Sequence, residues 1–286
     1  MCDQDHFEED LQKFEALGLV TRKQFSVLLG AGVAMMLPPV ANAVTVVESE
    51  VTITTPDGTA DAYFVHPASG TAPGVLIWPD IFGLRAAKRQ MGKRLAESGY
   101  SVLVVNPFYR TKKAPTAENG GQTPIQSVIP LAQTLNETTH MTDAKAFIGW
   151  LDKQPSVAKN RKMGTQGYCM GGPMAFRTAA AVPDRVGAVA SFHGGGLVRD
   201  GANSPHLQAS KTKAQFLITI AANDDQRAPK DKDVLKETFE AAKLPAEIEV
   251  YNAAHGWCPP DSRVYNQELS EKAWSRLLAL YGKALA

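Results

Sequence analysis

Gly167-Tyr168-Cys169-Met170-Gly171-Gly172 lies where a short apolar run, Lys162 to Tyr168, gives way to a helical pattern, Met170 to Ala181. That order reads as a strand, a sharp turn and a helix, with the cysteine at the apex. A nucleophile on such a turn sits in a strained backbone conformation, and small residues two positions to either side let strand and helix pass closely. Glycines fill both positions. The first turn of the following helix aims free N–H groups and a positive dipole end at the sulfur, which favours the attacking thiolate. Taken alone, a G-x-C-x-G string also fits a buried structural cysteine, a common fate of this residue type. The flanking strand and helix favour the nucleophile, and no G-x-S-x-G string offers a serine in its place.

On both sides of this turn the chain alternates short apolar runs with amphipathic ones. Val46 to Ile53 and Ala60 to Val65, separated by Pro56-Asp57-Gly58, read as a hairpin. Further strands are predicted at 74–78, 101–105, 162–168, 186–192, 215–221 and 247–251, most of them dense enough in Val, Ile and Leu to be buried on both faces. Helices are predicted at 86–98, 142–153, 170–181, 230–242 and 266–285, with Gly99 placed for a left-handed cap. The pattern is that of one α/β domain over 44–286, a mostly parallel central sheet flanked by helices on both faces. Residues 109–135 have little periodicity and many Pro, Thr, Gly and Lys residues, so they read as a lid or substrate-side excursion.

A base and an orienting acid are expected later in the chain, each at the end of a strand. After 215–221 comes Asn223-Asp224-Asp225-Gln226-Arg227-Ala228-Pro229, read as a loop with two adjacent carboxylates. After 247–251 comes Ala253-Ala254-His255-Gly256-Trp257, which puts an imidazole at the same sheet edge. The acid, Asp225 or Asp224, would fix the ring tautomer and stabilise the imidazolium, while His255 withdraws the thiol proton and returns it to the leaving group. His193, directly after the strand 186–192, reads as a pocket or structural histidine, and His66, His140 and His206 as solvated or locally hydrogen-bonded ones. Two backbone N–H groups are expected to receive the tetrahedral oxyanion, those of Met170 and of Ile81 in Pro79-Asp80-Ile81-Phe82-Gly83.

Taken together, D-I-F-G at Asp80 to Gly83, G-Y-C-M-G-G at Gly167 to Gly172, Asp225 four residues before Pro229, and His255-Gly256 make the chain resemble the dienelactone hydrolase (carboxymethylenebutenolidase) family over about Thr52 to Tyr281. The resemblance implies the α/β-hydrolase fold, a cysteine hydrolase of small ester or lactone substrates, and a triad of Cys169, Asp225 and His255, the proline spacing favouring Asp225 over Asp224. It implies an auxiliary carboxylate at Asp80, where the family has a glutamate that contacts the resting cysteine. Substrate binding would fall to Arg110 with the aromatic residues Phe82, Tyr109 and Trp257. A second family arginine, four positions after the histidine, is Pro259 here; Arg85, Arg227 or Arg263 could replace it, but the simpler inference is a different ester or lactone. Neither a metal nor a cofactor is expected: His255 and Cys258 alone make a poor zinc site.

Composition narrows the field of function. The 286 residues carry 44% hydrophobic residues and a formal charge of +1, which suggests an ordinary globular enzyme and no nucleic-acid partner. Thr21-Arg22-Lys23-Gln24-Phe25, the apolar run Val27 to Leu37 and Ala41-Asn42-Ala43 have the layout of a signal segment over 1–43, similar to the twin-arginine type. Export to the periplasm is the expectation, with a cytoplasmic or N-terminally anchored protein as the alternative. No later segment approaches the roughly 18 apolar residues of a membrane span. Cys2, Cys169 and Cys258 are too few for a disulfide framework, although a Cys169–Cys258 bridge would turn the scaffold into a silent binding protein or a thiol redox sensor.

Overall fold

In the computed structural model, which describes residues 37–286, the chain forms an eight-stranded sheet with helices on both faces. Most of the signal-like segment lies outside the described residues. The strands are β1 (Val46–Thr55), β2 (Gly58–Pro67), β3 (Gly74–Trp78), β4 (Ser101–Val105), β5 (Met163–Tyr168), β6 (Val186–Phe192), β7 (Gln215–Ala221) and β8 (Ala246–Tyr251). Their spatial order is β1-β2-β4-β3-β5-β6-β7-β8. The hairpin β1–β2 joins β4 antiparallel, and from β4 to β8 every pairing is parallel.

Parallel strands need crossovers, which contain α1 (Ala86–Glu97), α2 (Ile129–Ala132), α3 (Glu137–Leu151), α4 (Gly171–Ala181), α5 (Ala222–Arg227) and α6 (Asp231–Ala241), while α7 (Gln267–Ala284) follows the last strand. Side chains alternate between the sheet's faces. Leu76, Trp78, Leu103 and Val105 meet Phe147 and Leu151 of α3, Met174 and Phe176 of α4 and Phe239 of α6. Val75, Ile77, Val102 and Val104 meet Met91 and Leu95 of α1 and Leu277 and Tyr281 of α7. Burying each such side chain contributes roughly 1.5–3 kcal/mol, which is why strands with two covered faces read as continuous apolar runs. Central β5 departs from that pattern with a buried Gln166, whose amide donates to Tyr168 Oη at 2.7 Å and accepts from Tyr281 Oη at 3.0 Å.

The predicted left-handed cap after α1 is present: Gly99 has φ +93° and donates to Ala96 O at 2.9 Å. Helix α3 begins earlier than its apolar periodicity suggests, because Asn136 and Thr139 close a capping box ahead of it. The order β4-β3-β5 reverses direction at β3, so the carboxyl ends of β3 and β5 diverge into a crevice. Asp80-Ile81 follow the first strand and Cys169 the second.

Strand β5 and helix α4 pass so closely that a Cβ on Gly167 would lie 1.9 Å from Gly171 O, and one on Gly171 2.4 Å from Trp78 O. Gly149, inside α3, has open space at its Cβ position. Gly167→Ala is therefore expected to cost about 3 kcal/mol or more, whereas Gly149→Ala adds about 0.5–1 kcal/mol. Urea unfolding of the two variants beside the parent chain measures this, and equal effects would contradict the close approach.

Candidate active site

Cys169 caps the end of β5 with φ +52°, a left-handed conformation that a cysteine rarely adopts. Surrounding hydrogen bonds hold it there: Cys169 N–H donates to Phe192 O at 3.1 Å, and its carbonyl accepts from Gly172 N at 3.1 Å and Gly195 N at 3.3 Å. Met170 already has helical angles and opens α4, so the helix starts directly behind the sulfur-bearing residue. Cys169 lines a cleft of about 790 Å³, counted with its open mouth, whose walls include Asp80, Ile81, Phe82, His193, His255 and Arg263. Of the predicted oxyanion donors, Ile81 lines this cleft and Met170 directly follows Cys169 at the start of α4.

His255 Nδ1 donates to Asp224 Oδ2 at 2.6 Å, and its backbone N–H donates to Asn223 Oδ1 at 2.8 Å. With Nδ1–H held by a carboxylate, Nε2 is left as the basic nitrogen. Asp225 is not the partner. Its two oxygens accept from Lys232 Nζ at 2.9 and 2.8 Å. The expectation built on proline spacing is corrected because the stretch read as a loop is the short helix α5, where successive side chains diverge by about 100° and only one of two adjacent carboxylates faces the histidine.

Behind the β3 loop lies a fully buried charge cluster. Arg85 donates Nη1 and Nη2 to Asp80 at 2.7 and 3.0 Å, Nε and Nη2 to Asp261 at 2.6 and 2.9 Å, and Nη1 to Gly83 O at 3.2 Å. Lys88 Nζ is 3.0 Å from Asp80 Oδ2 and 3.9 Å above the Tyr168 ring. Burial would raise the Asp80 carboxyl, but the charges and hydrogen bonds of Arg85 and Lys88 outweigh it and hold the group well below the usual carboxylate range. Burial pushes the Lys88 ammonium down despite Asp80. Asp80 lines the cleft, yet both its oxygens are taken by Arg85, Lys88 and Phe82 N–H, so its first task is to bind cations.

Three expected substrate contacts are corrected. Arg110 is turned to Asp57 at 2.5 Å and to Asp143 at 2.6 Å, and Tyr109 Oη donates to Asp143 at 2.8 Å. These residues tie the hairpin turn to α3 and do not line the cleft, because two carboxylates capture the guanidinium on the far side of β4. Trp257 is fully buried, stacked on Tyr251 with centroids 5.3 Å apart and set edge-on to His193 at 5.0 Å. Phe82 does reach the cleft. So do Gly120, Gly121, Thr123, Pro124 and Ile125 of the 109–135 excursion, which is pinned by Gly120 N–H to Asp261 Oδ2 at 2.7 Å and by Arg263 Nε to Gly121 O. Of the arginines near the site, Arg85 is committed and Arg227 lies 3.5 Å from Asp224, whereas Arg263 lines the cleft with no carboxylate in ion-pair range among the described residues. Neither Cys169 nor Cys258 is in a disulfide, and burial pushes the Cys258 thiol well up.

Sequence reading missed the roles of Asn223 and Asp261. A buried acid six residues past the base carries no signal of its own, since its partner Arg85 is 176 positions away.

The family model described as "Dienelactone hydrolase family" matches residues 60–285. A relative from Methylorubrum extorquens is 28% identical over 95% of this chain and 96% of its own length. The carboxymethylenebutenolidase of Rhodococcus opacus is 25% identical over 70% of this chain and 77% of its own. A solved chain from Klebsiella pneumoniae superposes with a TM-score of 0.72 at 22% identity, covering 84% of this chain and 99% of that one. The likeness to the solved chain is one of fold, and this chain has the α/β-hydrolase fold.

Two measurements follow from this geometry. Asp224→Asn is expected to lower kcat/KM for ester hydrolysis by about 10³- to 10⁴-fold, and Asp225→Asn to leave it within about threefold; the reverse order in a steady-state assay would reinstate Asp225. Asp80→Asn removes the main partner of two buried cations and is expected to cost about 3–5 kcal/mol at pH 7 in urea unfolding. Because the folded carboxyl is depressed below its ordinary value of 3.8, that difference is full above this pH and shrinks as pH falls beneath it.

Proposed function

Because the chain belongs to the dienelactone hydrolase family, we propose that this hydrolase opens small ester or lactone bonds through an acyl-thioester on Cys169, with His255 as base and Asp224 as the acid that orients it. One observation carries the reading: a left-handed Cys169 shares a cleft with a histidine whose Nδ1–H is bound to a carboxylate at 2.6 Å. His255 Nε2 takes the thiol proton, and the sulfur adds to the carbonyl carbon. The developing oxyanion is received by the N–H groups of Met170 and Ile81, donors fixed before the reaction begins. Collapse breaks the C–O bond, and the imidazolium returns its proton to the leaving alkoxide. In a lactone that alkoxide remains tethered to the acyl group. Water activated by His255 then releases the acid and restores the thiol.

Arg263 favours substrates with an acidic group near the reacting carbonyl, since its charge on the cleft wall has no protein carboxylate among the described residues. Arg110 has no part in this reading.

The test is hydrolysis of a short-chain p-nitrophenyl ester and of a dienelactone by the full chain, beside Cys169→Ala and after thiol alkylation. Turnover is expected to fall by about 10⁴-fold or more in both cases. Turnover indifferent to Cys169 would overturn the mechanism, and none under reducing conditions would favour a silent binding protein on the same scaffold. A further comparison of charged with neutral esters in Arg263→Ala is expected to raise KM for the charged one alone.

A further inference from the structure

His193 is a second imidazole in the cleft, with no part in the triad. It follows β6 directly, is 1% exposed, and has φ +42°. Its backbone N–H donates to Thr219 O at 2.8 Å, so the main chain fixes its position without help from the ring. The ring lies among aromatic groups: His255 edge-on with centroids 5.0 Å apart, Trp257 edge-on at 5.0 Å, and Tyr168 tilted at 6.2 Å. Among the described residues neither Nδ1 nor Nε2 has a hydrogen-bond partner, although both are buried. A buried polar atom left unpaired is costly, and one on the wall of a reactive cleft marks a place where something that enters is bound. Burial, then the neighbouring His255, push the ring's pKa well down, so it stays neutral with one acceptor and one donor nitrogen.

We propose that His193 binds and aims the water that hydrolyses the acyl-enzyme, a role that rests on the Cys169 acyl-thioester reading above. A water activated by His255 gives one O–H to that base. Its second O–H needs an acceptor, and the neutral nitrogen of His193, on the wall of the same cleft with its ring centroid 5.0 Å from that of His255, supplies it. With both O–H bonds engaged, a lone pair of the water is left for the acyl carbon. The new C–O bond forms as one water proton passes to His255 Nε2. Collapse of the tetrahedral intermediate breaks the C–S bond, the electron pair leaving with Cys169, and His255 returns its proton to the sulfur. The second water proton leaves on the carboxylic acid, which ionises to solvent. His193 neither gains nor loses a proton. Attack by the cysteine on the substrate requires no water, so His193 acts in the second half of the reaction only.

This selectivity gives a readout that a structural histidine would not produce. The full chain is mixed with a short-chain p-nitrophenyl ester, quenched in acid during turnover, and the fraction acylated at Cys169 is read by peptide mass spectrometry. In His193→Phe, turnover is expected to fall by about ten- to hundredfold while the acylated fraction rises. Hydroxylamine, a stronger nucleophile that needs no aiming, is expected to restore product release. His193→Asn, which tolerates positive φ and keeps an amide acceptor, is expected to retain most of the parent rate. Should His193→Phe fail to fold, His193→Gly relieves the backbone strain and still removes the acceptor, with the same acyl build-up expected. Slower turnover with an unchanged or lower acylated fraction overturns the proposal, as does a parent-like rate in the variants that lack an acceptor. Failure of the underlying mechanism is distinguishable, because then no variant carries an acyl group on Cys169.

Discussion

One guanidinium organises the mouth of the cleft. Arg85 spends its donors on Asp80, Asp261 and Gly83 O at a position only 1% exposed. A buried guanidinium is least costly when every N–H has a partner, because the low dielectric that strengthens each bond also penalises any left unmade. Bidentate geometry on two carboxylates meets that demand in a way lysine's point charge does not. Through Asp80 the cation holds the loop that carries Ile81. Through Asp261 it holds the loop after His255, and the same carboxylate accepts Gly120 N–H from the 109–135 excursion. Three chain segments that meet nowhere in the sequence are thus fixed to one planar group.

The sheet performs the coarser positioning. Parallel pairing from β4 to β8 sends every strand's carboxyl end to one edge, so that residues just after β3, β5, β6, β7 and β8 converge there. Reversal of strand order at β3 opens the crevice at which the elbow stands. The strain of Cys169 and His193, both with positive φ, is borne by backbone hydrogen bonds to neighbouring strands, at Phe192 O and Thr219 O. Glycines 167, 171 and 172 make the approach of strand, helix and the β6 loop sterically possible.

What could be read from the sequence follows from which signals are local. Strands buried on both faces declare themselves by unbroken apolar runs, and the elbow by two glycines around a cysteine, so the fold and the placement of Cys169 and His255 were legible. The choice between Asp224 and Asp225 was not, because it depends on the phase of a six-residue helix that no periodicity reveals. The family resemblance points Arg110 and Trp257 toward the substrate. Arg110 instead answers to Asp57 and Asp143, acids contributed by a hairpin turn and a distant helix, and Trp257 to the stacking demand of Tyr251. Long-range partners of this kind decide where a side chain points, and they leave no mark near it in the chain.

Charge balance in the cluster bears directly on the chemistry. Asp80 and Asp261 stand against Arg85 and Lys88, so each formal charge of the cluster has an opposite one beside it. Were Asp80 uncommitted, its negative charge would favour an imidazolium at His255 and oppose a thiolate at Cys169, two effects of opposite sign on one ion pair. Under the proposed mechanism, pairing within the cluster leaves that ion pair to the helix end behind Cys169 and to Asp224 behind His255. It also leaves the cleft's selectivity to groups that remain uncompensated. Arg263 is the cation on the wall with no carboxylate in ion-pair range among the described residues, and under the proposed function discrimination between acidic and neutral substrates falls to it, while Arg85 is held by Asp80 and Asp261.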